Sequence, residues 1–209
     1  MRIIAGQRRG HKFDGPRDHS TRPTSDLVRE ALFNIIGEVV EDWVVIDLFA
    51  GTGAIGLEAL SRGAARAIFV EKNRENVALI RRNIATLHYE DRASVVMADA
   101  YRWGKSYAPA DDQPVAIYVD PPYADYEDHP GKVNKLITGL AAAMPDGSIL
   151  AAESRRKLDA EVLPDLELWD IRRYGGTQVA IRTIGEVPED DAPSDEGVDD
   201  QQDAADDAS

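Results

Sequence analysis

Residues Val44-Val45-Ile46-Asp47-Leu48-Phe49-Ala50-Gly51-Thr52-Gly53 constrain this chain more than any other stretch. A short apolar run ends in an acid and then in closely spaced glycines. Val44 to Phe49 reads as a buried parallel strand, apolar on both faces. Gly51 and Gly53 permit a sharp turn and, having no Cβ, the close approach of a ligand. Ala54 to Ser61 then reads as a helix closed by Arg62-Gly63, with Gly63 as its C′ residue. A strand, a glycine turn and a helix in succession present unpaired backbone N–H groups to a nucleotide-like ligand. Asp47 fixes a negative charge at the strand tip. It repels a phosphate and attracts a ligand with an ammonium group or with sugar hydroxyls to donate.

The alternation continues on both sides of this unit. Thr24 or Ser25 can cap a helix whose apolar stripe is Val28, Ala31, Leu32, Ile35 and Ile36. Ala67 to Val70 reads as a strand ending at Glu71, and Arg74 to Leu87 as a helix with Val77, Ile80, Ile84 and Leu87 inward. Ser94 to Ala98 is a strand ending at Asp99, and Val115 to Val119 a strand ending at Asp120. Lys132 to Met144 is a helix, and Gly147 to Glu153 a strand. Leu166 to Tyr174 and Gln178 to Ile184 read as two last strands, antiparallel because Gly175-Gly176 is too short for a crossover. The fold class is therefore α/β.

Four parallel strands thus end in an acid: Asp47, Glu71, Asp99 and Asp120. In open α/β sheets, ligands bind outside the carboxyl ends of the strands. Each acid alone is most simply a loop carboxylate or a helix cap, but four in register line one crevice. Gly51-Thr52-Gly53-Ala54-Ile55-Gly56 also fits the G-x-G-x-x-G pattern of nicotinamide enzymes. Asp47 argues against that ligand, since a pyrophosphate would lie beside its charge. Asp120-Pro121-Pro122-Tyr123 favours different chemistry. The two prolines stiffen the loop and remove competing N–H donors. Asp120 and the Pro121 carbonyl can each accept a hydrogen bond from an exocyclic amine, and Tyr123 offers a face on which a base can stack. The plainer alternative is a strand-ending turn with a core tyrosine.

Composition sets the surroundings of this crevice. The chain has 209 residues, is 43% hydrophobic and contains no cysteine, so one domain with a real core is expected, without disulfides or thiolate metal sites. No apolar run reaches membrane-spanning length and the N-terminus has no signal-peptide pattern, which suits a cytoplasmic protein. Eleven acids and no base lie from Gly185 onward, so residues 1–184 carry only −3 of the net −14. Residues 1–25 hold six bases against two acids. A basic head, a near-neutral body and an acidic tail suggest a polyanionic partner for the head, though a solvated basic arm with no partner fits the charge equally well. The head reads as a small hairpin (about residues 2–5 and 10–13) or a flexible arm, and the tail as disordered.

The strand-and-glycine stretch together with Asp120-Pro121-Pro122-Tyr123 resembles the S-adenosylmethionine-dependent amino-methyltransferases. Met1-Arg2-Ile3-Ile4-Ala5-Gly6, Arg22-Pro23-Thr24, Val28-Arg29-Glu30-Ala31-Leu32-Phe33-Asn34 and Gly56-Leu57-Glu58-Ala59-Leu60-Ser61-Arg62-Gly63-Ala64 narrow it. Over about residues 1–184 the chain resembles the bacterial 16S ribosomal RNA guanine-N2 methyltransferases (RsmD-like). The resemblance implies a Rossmann-like class I methyltransferase: a seven-stranded, mostly parallel sheet with helices on both faces and an N-terminal hairpin or arm. It divides the chain into a basic arm (1–23), a catalytic domain (24–184) and an acidic tail (185–209), the tail being foreign to the family. It places Asp47, Phe49, Gly51, Gly53, Glu71, Asp99 and Ala100 around S-adenosylmethionine, with Glu71 on the ribose and Asp99 and its neighbours at the adenine. Asp120, Pro121, Pro122 and Tyr123 become the catalytic turn, and Arg2, Arg8, Arg9, Lys12 and Arg22 the RNA contacts. The implied partner is 16S rRNA or the small ribosomal subunit, engaged by a monomer without metal. Two other readings stay open: the same chemistry on adenine N6 in DNA, and a non-catalytic RNA-binding module that keeps the fold. An NAD-dependent enzyme is a distant third.

Overall fold

The computed structural model describes residues 1–16, 25–36 and 41–185. Arg17, Arg22 and the capping Thr24 lie outside those residues, as does the acidic tail beyond Gly185. Seven strands form one sheet in the order β3-β2-β1-β4-β5-β7-β6. They are β1 (Val44–Leu48), β2 (Arg66–Glu71), β3 (Ala93–Met97), β4 (Val115–Val119), β5 (Ile149–Ser154), β6 (Asp170–Tyr174) and β7 (Thr177–Thr183). Strands β1 to β5 pair in parallel, while β7 runs antiparallel to β5 and to β6.

The sheet is buried on both sides, which is why β4 reads as unbroken Val-Ala-Ile-Tyr-Val. On one face lie α1 (Asp26–Ile36), α2 (Ala54–Ser61) and α3 (Arg74–Leu87), packed through Leu32, Ile55, Leu57 and Ile80. On the other lie α4 (Ala100–Lys105), α5 (Tyr123–Asp128) and α6 (Pro130–Ala143), packed through Tyr126, Val133, Ile137 and Leu140. The start of α3 is set by Asn73, whose side chain accepts the N–H groups of Glu75 and Asn76 at 2.8 and 3.1 Å. Proline at the first position of α6 supplies the φ a helix start needs.

Three local expectations change. Phe49 leaves the strand and takes φ 63, so β1 ends at Leu48. Leu166 to Leu168 form a single 3-10 turn, because the buried Trp169 donates its Nε1–H to the Pro164 carbonyl at 2.8 Å and Asp165 turns the chain at φ 51. Two six-residue helices, α4 and α5, follow the strand tips directly; each is too short to show a periodic pattern in the sequence.

The N-terminal head forms a narrow hairpin with one bridge pair, Arg2 with Lys12, and backbone bonds from Ile3 N–H to His11 and from Gly10 N–H to Ile3. It is docked. Ile3 and Phe13 are buried in the cluster that holds Leu57, Leu60 and Ile80. Glu58, fully buried in the middle of α2, accepts the N–H groups of Ile4 (2.8 Å) and Ala5 (3.0 Å) and pairs with Arg62 Nε at 2.9 Å. Gly6 sits at φ +79 with a Cβ position 1.8 Å from the Ser61 carbonyl oxygen, so no other residue fits there. At its other end the hairpin meets Asn83, whose side chain exchanges hydrogen bonds with the Asp14 backbone and donates to the Thr52 carbonyl at 3.1 Å.

Candidate active site

The strand order reverses between β1 and β4, and the ends of these strands open a cleft of about 710 Å³. Register brings its acids together. Leu48 pairs with Val119 and Val119 with Ala152, so the residues next along the chain, at the tips of β4 and β5, are neighbours across the cleft. Asp47, Phe49, Gly51, Glu71 and Ala100 line one part of it, and Asp120, Pro121, Pro122 and Tyr123 another. Gly53 and Asp99 do not line it. Gly53 precedes α2 at φ +80, and the Cβ of any other residue would press on Phe69 and Ile80. Asp99 caps α4 by accepting the Arg102 N–H at 3.0 Å.

Asp47 is buried, and its Oδ2 accepts the Gly56 N–H at 3.1 Å, inside the first turn of α2. Burial pushes its carboxyl up to about 8, the Glu71 charge adds to this, and the Gly56 bond opposes both. Glu71 accepts the N–H groups of Gly51 (2.9 Å) and Asn73 (2.7 Å), one on each oxygen, and so ties the glycine turn to the start of α3. Each oxygen keeps a lone pair for a hydroxyl donor. Phe49 meets Tyr101 edge to face at 5.1 Å, and Tyr101 donates to Asp125 at 2.7 Å, which links the glycine-turn side of the cleft to α5.

Asp120 follows β4 into the cleft. Its pKa lies well above the ordinary carboxylate range, chiefly through burial, then through the charges of Glu153 and Asp47, with Arg155 pulling the other way. Tyr123 begins α5 and stands 54% exposed at the lip, so its ring face is available to a flat ligand.

Several residues in this cleft were not foreseen. Glu153, the residue before the last of β5, takes the Tyr118 hydroxyl on its Oε2, while its carbonyl accepts the Tyr126 hydroxyl at 2.6 Å. The signal was present, since in the sequence a strand reads as ending at Glu153, just as the other four acids read as standing at strand ends. Tyr118, Tyr126 and Ser154 also line the cleft and carry no motif.

Of the basic head, Arg2 pairs with Asp26 at 3.1 Å. Arg9 and Lys12 are exposed and Arg8 is half-buried. The Gln7 N–H donates to the Ser61 carbonyl at 2.7 Å and the Arg8 N–H to Ser61 Oγ at 3.0 Å. The hairpin tip therefore sits at the far end of α2, about 12 Å along the helix from the glycine turn.

The family described as conserved hypothetical protein 95 matches residues 1–183. A Bacillus subtilis (strain 168) protein, YlbH, provisionally named an rRNA methyltransferase, is 35% identical over 184 residues, covering 87% of this chain and 97% of its own. The ribosomal RNA small subunit methyltransferase D of Escherichia coli (strain K12) is 42% identical over 123 residues, 59% of this chain and 60% of the relative. Among solved structures, the Escherichia coli protein yhhF, provisionally named a methyltransferase, superposes with a TM-score of 0.69 at 32% identity, over 88% of this chain and 97% of that one. A Salinibacter ruber RNA methyltransferase in complex with S-adenosyl-L-homocysteine shares the fold, with a TM-score of 0.58 at 23% identity over 81% and 98% of the two chains.

Proposed function

The chain belongs to the conserved hypothetical protein 95 family, and from that premise we propose that it methylates the exocyclic N2 amine of a guanine in small-subunit ribosomal RNA. The observation that carries this reading is one cleft holding both the glycine turn with its acids and the Asp120-Pro121-Pro122-Tyr123 turn.

The cleft suits S-adenosylmethionine. Its volume fits a nucleoside ligand beside a base. Gly51 leaves room for close approach, Glu71 offers lone pairs to the ribose hydroxyls, and the acids Asp47 and Asp120 suit a cation. When bound, the donor supplies an electrophilic methyl group on sulfur. Guanine N2 is conjugated into its ring and is a poor nucleophile. Asp120 and the Pro121 carbonyl would accept hydrogen bonds from its two N–H groups and draw the lone pair out of conjugation, and the one proton lost when N2 gains the methyl group would pass to Asp120. Tyr123 stacks on the base, which must leave its helix to reach this depth. Asp120 works as an acceptor when ionised, and a cation beside it favours that form. The substrate is 16S rRNA or the small ribosomal subunit, the setting cytoplasmic and the enzyme a monomer; among the described residues no helix is long and apolar enough to cross a membrane.

The test is a methylation assay with labelled donor. It compares small subunits, naked rRNA and DNA from a strain lacking the enzyme, followed by identification of the modified base. N2-methylguanine in small subunits is the expected product, with thermal stabilisation by the donor and none by NAD. Label in DNA alone, or stabilisation by NAD alone, would overturn the reading.

A further inference from the structure

We infer that the turn Arg155-Arg156-Lys157 grips the sugar–phosphate backbone beside the target nucleotide, a task for which the hairpin tip is too remote. The inference rests on the reading that the substrate is RNA.

The turn is built and held at both ends. Ser154, 3% exposed, accepts the Arg156 N–H on its Oγ at 3.0 Å. Leu158, 2% exposed, donates its N–H to Gln178 Oε1 at 2.8 Å. Between these anchors stand three consecutive exposed cations. Among the described residues none of the three is in an ion pair, whereas Arg2, Arg29, Arg62, Arg82, Arg172 and Arg182 all are. Arg155 lines the cleft, close enough for its charge to act on Asp120. Arg156 donates its Nη1–H to the Tyr126 carbonyl at 3.0 Å, which fastens the turn to the helix that begins with Tyr123.

Location decides between this turn and the hairpin. A polyanion entering a cleft lined by Asp47, Glu71, Asp120 and Glu153 is repelled by those of the four that are ionised, and cations fixed at the rim offset that repulsion where the base must enter. Arg8 and Arg9 stand at the opposite end of α2, about 12 Å along the helix from the glycine turn, and suit phosphates further along the strand than the one beside the target. Contacts to phosphate set position without reading sequence, so the turn fixes where the backbone crosses the lip while the Asp120 turn selects the base.

The experiment measures RNA affinity at several salt concentrations for the parent, for Arg155→Ala with Lys157→Ala, and for Arg8→Ala with Arg9→Ala. Arg156 is kept because it supports Tyr126. Each single-strand phosphate contact contributes roughly 0.7 to the log–log salt slope, so losing two flattens it by about 1.4 and weakens binding about 25-fold at 0.1 M salt, converging near 1 M. Arg155→Glu with Lys157→Glu must weaken binding further, with melting temperatures of both turn variants matching the parent because Arg155 and Lys157 are exposed. Coincident lines for the turn variant and the parent overturn the inference. So does a loss confined to the hairpin variant, which leaves the RNA reading standing. A parent that neither binds nor methylates RNA overturns that reading and this inference with it.

Discussion

Replacing Asp47 by Asn tests what a buried carboxyl at the centre of the cleft takes from stability and gives to ligand binding. Asp47 is 2% exposed and its pKa is pushed from 3.8 up to about 8, by burial first and by Glu71 after it. The folded chain therefore holds this proton more tightly than the unfolded chain does. The stabilising contribution is complete below pH 3.8, is lost progressively as pH rises, and is gone above about 8. Within that window the slope is one proton, about 1.4 kcal/mol per pH unit. At pH 7 the accumulated loss is on the order of 4 kcal/mol. Asparagine does not titrate, and its carbonyl still accepts the Gly56 N–H. The variant should match the parent near pH 4 and exceed it by several kcal/mol at pH 7 to 8, with a melting temperature higher by about 2–4 °C per kcal/mol. Donor affinity should move the other way. A cation beside Asp47 favours its ionised form, so the parent should bind S-adenosylmethionine better as pH rises and release a proton on binding. Asp47→Asn should lose both the affinity and its pH slope. Urea unfolding from pH 4 to 8, and calorimetric titrations in two buffers of different ionisation enthalpy, measure the two sides. Parallel stability lines for parent and variant across that range would refute the reasoning.

Other perturbations probe neighbouring groups. Asp120→Ala should lower kcat by roughly 10²–10⁴, the scale for a positioned proton acceptor, with a smaller change in donor binding; full activity on small subunits would show that the turn is structural. Because Asp120 titrates above the usual carboxylate range and Glu153 helps to hold it there, the parent's rate should rise with pH beyond that range, and Glu153→Gln should move the rise to lower pH while still accepting the Tyr118 hydroxyl; an unmoved profile would remove Glu153 from the account. Tyr123→Ala should raise KM for RNA by about tenfold, since base stacking contributes roughly 1–3 kcal/mol, while Tyr123→Phe should be mild; equal effects would assign the role to the hydroxyl. Glu58→Ala leaves two backbone donors and Arg62 without their acceptor and should cost about 3–5 kcal/mol in chemical unfolding; a change under about 0.5 kcal/mol would mean that the hairpin is not held by this carboxylate.

The sheet was legible because its strands are short, apolar and each closed by an acid or a glycine, and because β6 and β7 are joined too tightly for a crossover. The acids at the strand tips were legible as a group, but their roles were not. Asp47 as an acceptor for Gly56 and Asp99 as a cap both depend on where the following helix begins. Glu153 escaped notice because the residues after it carry no glycine or proline to mark a site. Glu58 and Asn83 were invisible for a different reason. A polar residue on a helix face looks solvated until its partners are known, and the hairpin groups that bind these two lie 53 to 69 residues away in sequence. A hairpin was one of two readings of the head, the other a flexible arm, and charge alone could not say which end of α2 it would occupy.

Those long separations bear on how the chain is made. The amides of Ile4 and Ala5 wait for Glu58, and the backbone of Asp14 waits for Asn83. At about 5–20 residues per second, a nascent chain exposes its first residues for several seconds before their docking surface has emerged. Closing so wide a loop yields little until α2 and α3 have already packed on β2. The hairpin thus leaves the ribosome well before the surface it docks on and is one of the last segments to lock onto the neighbouring half of the sheet.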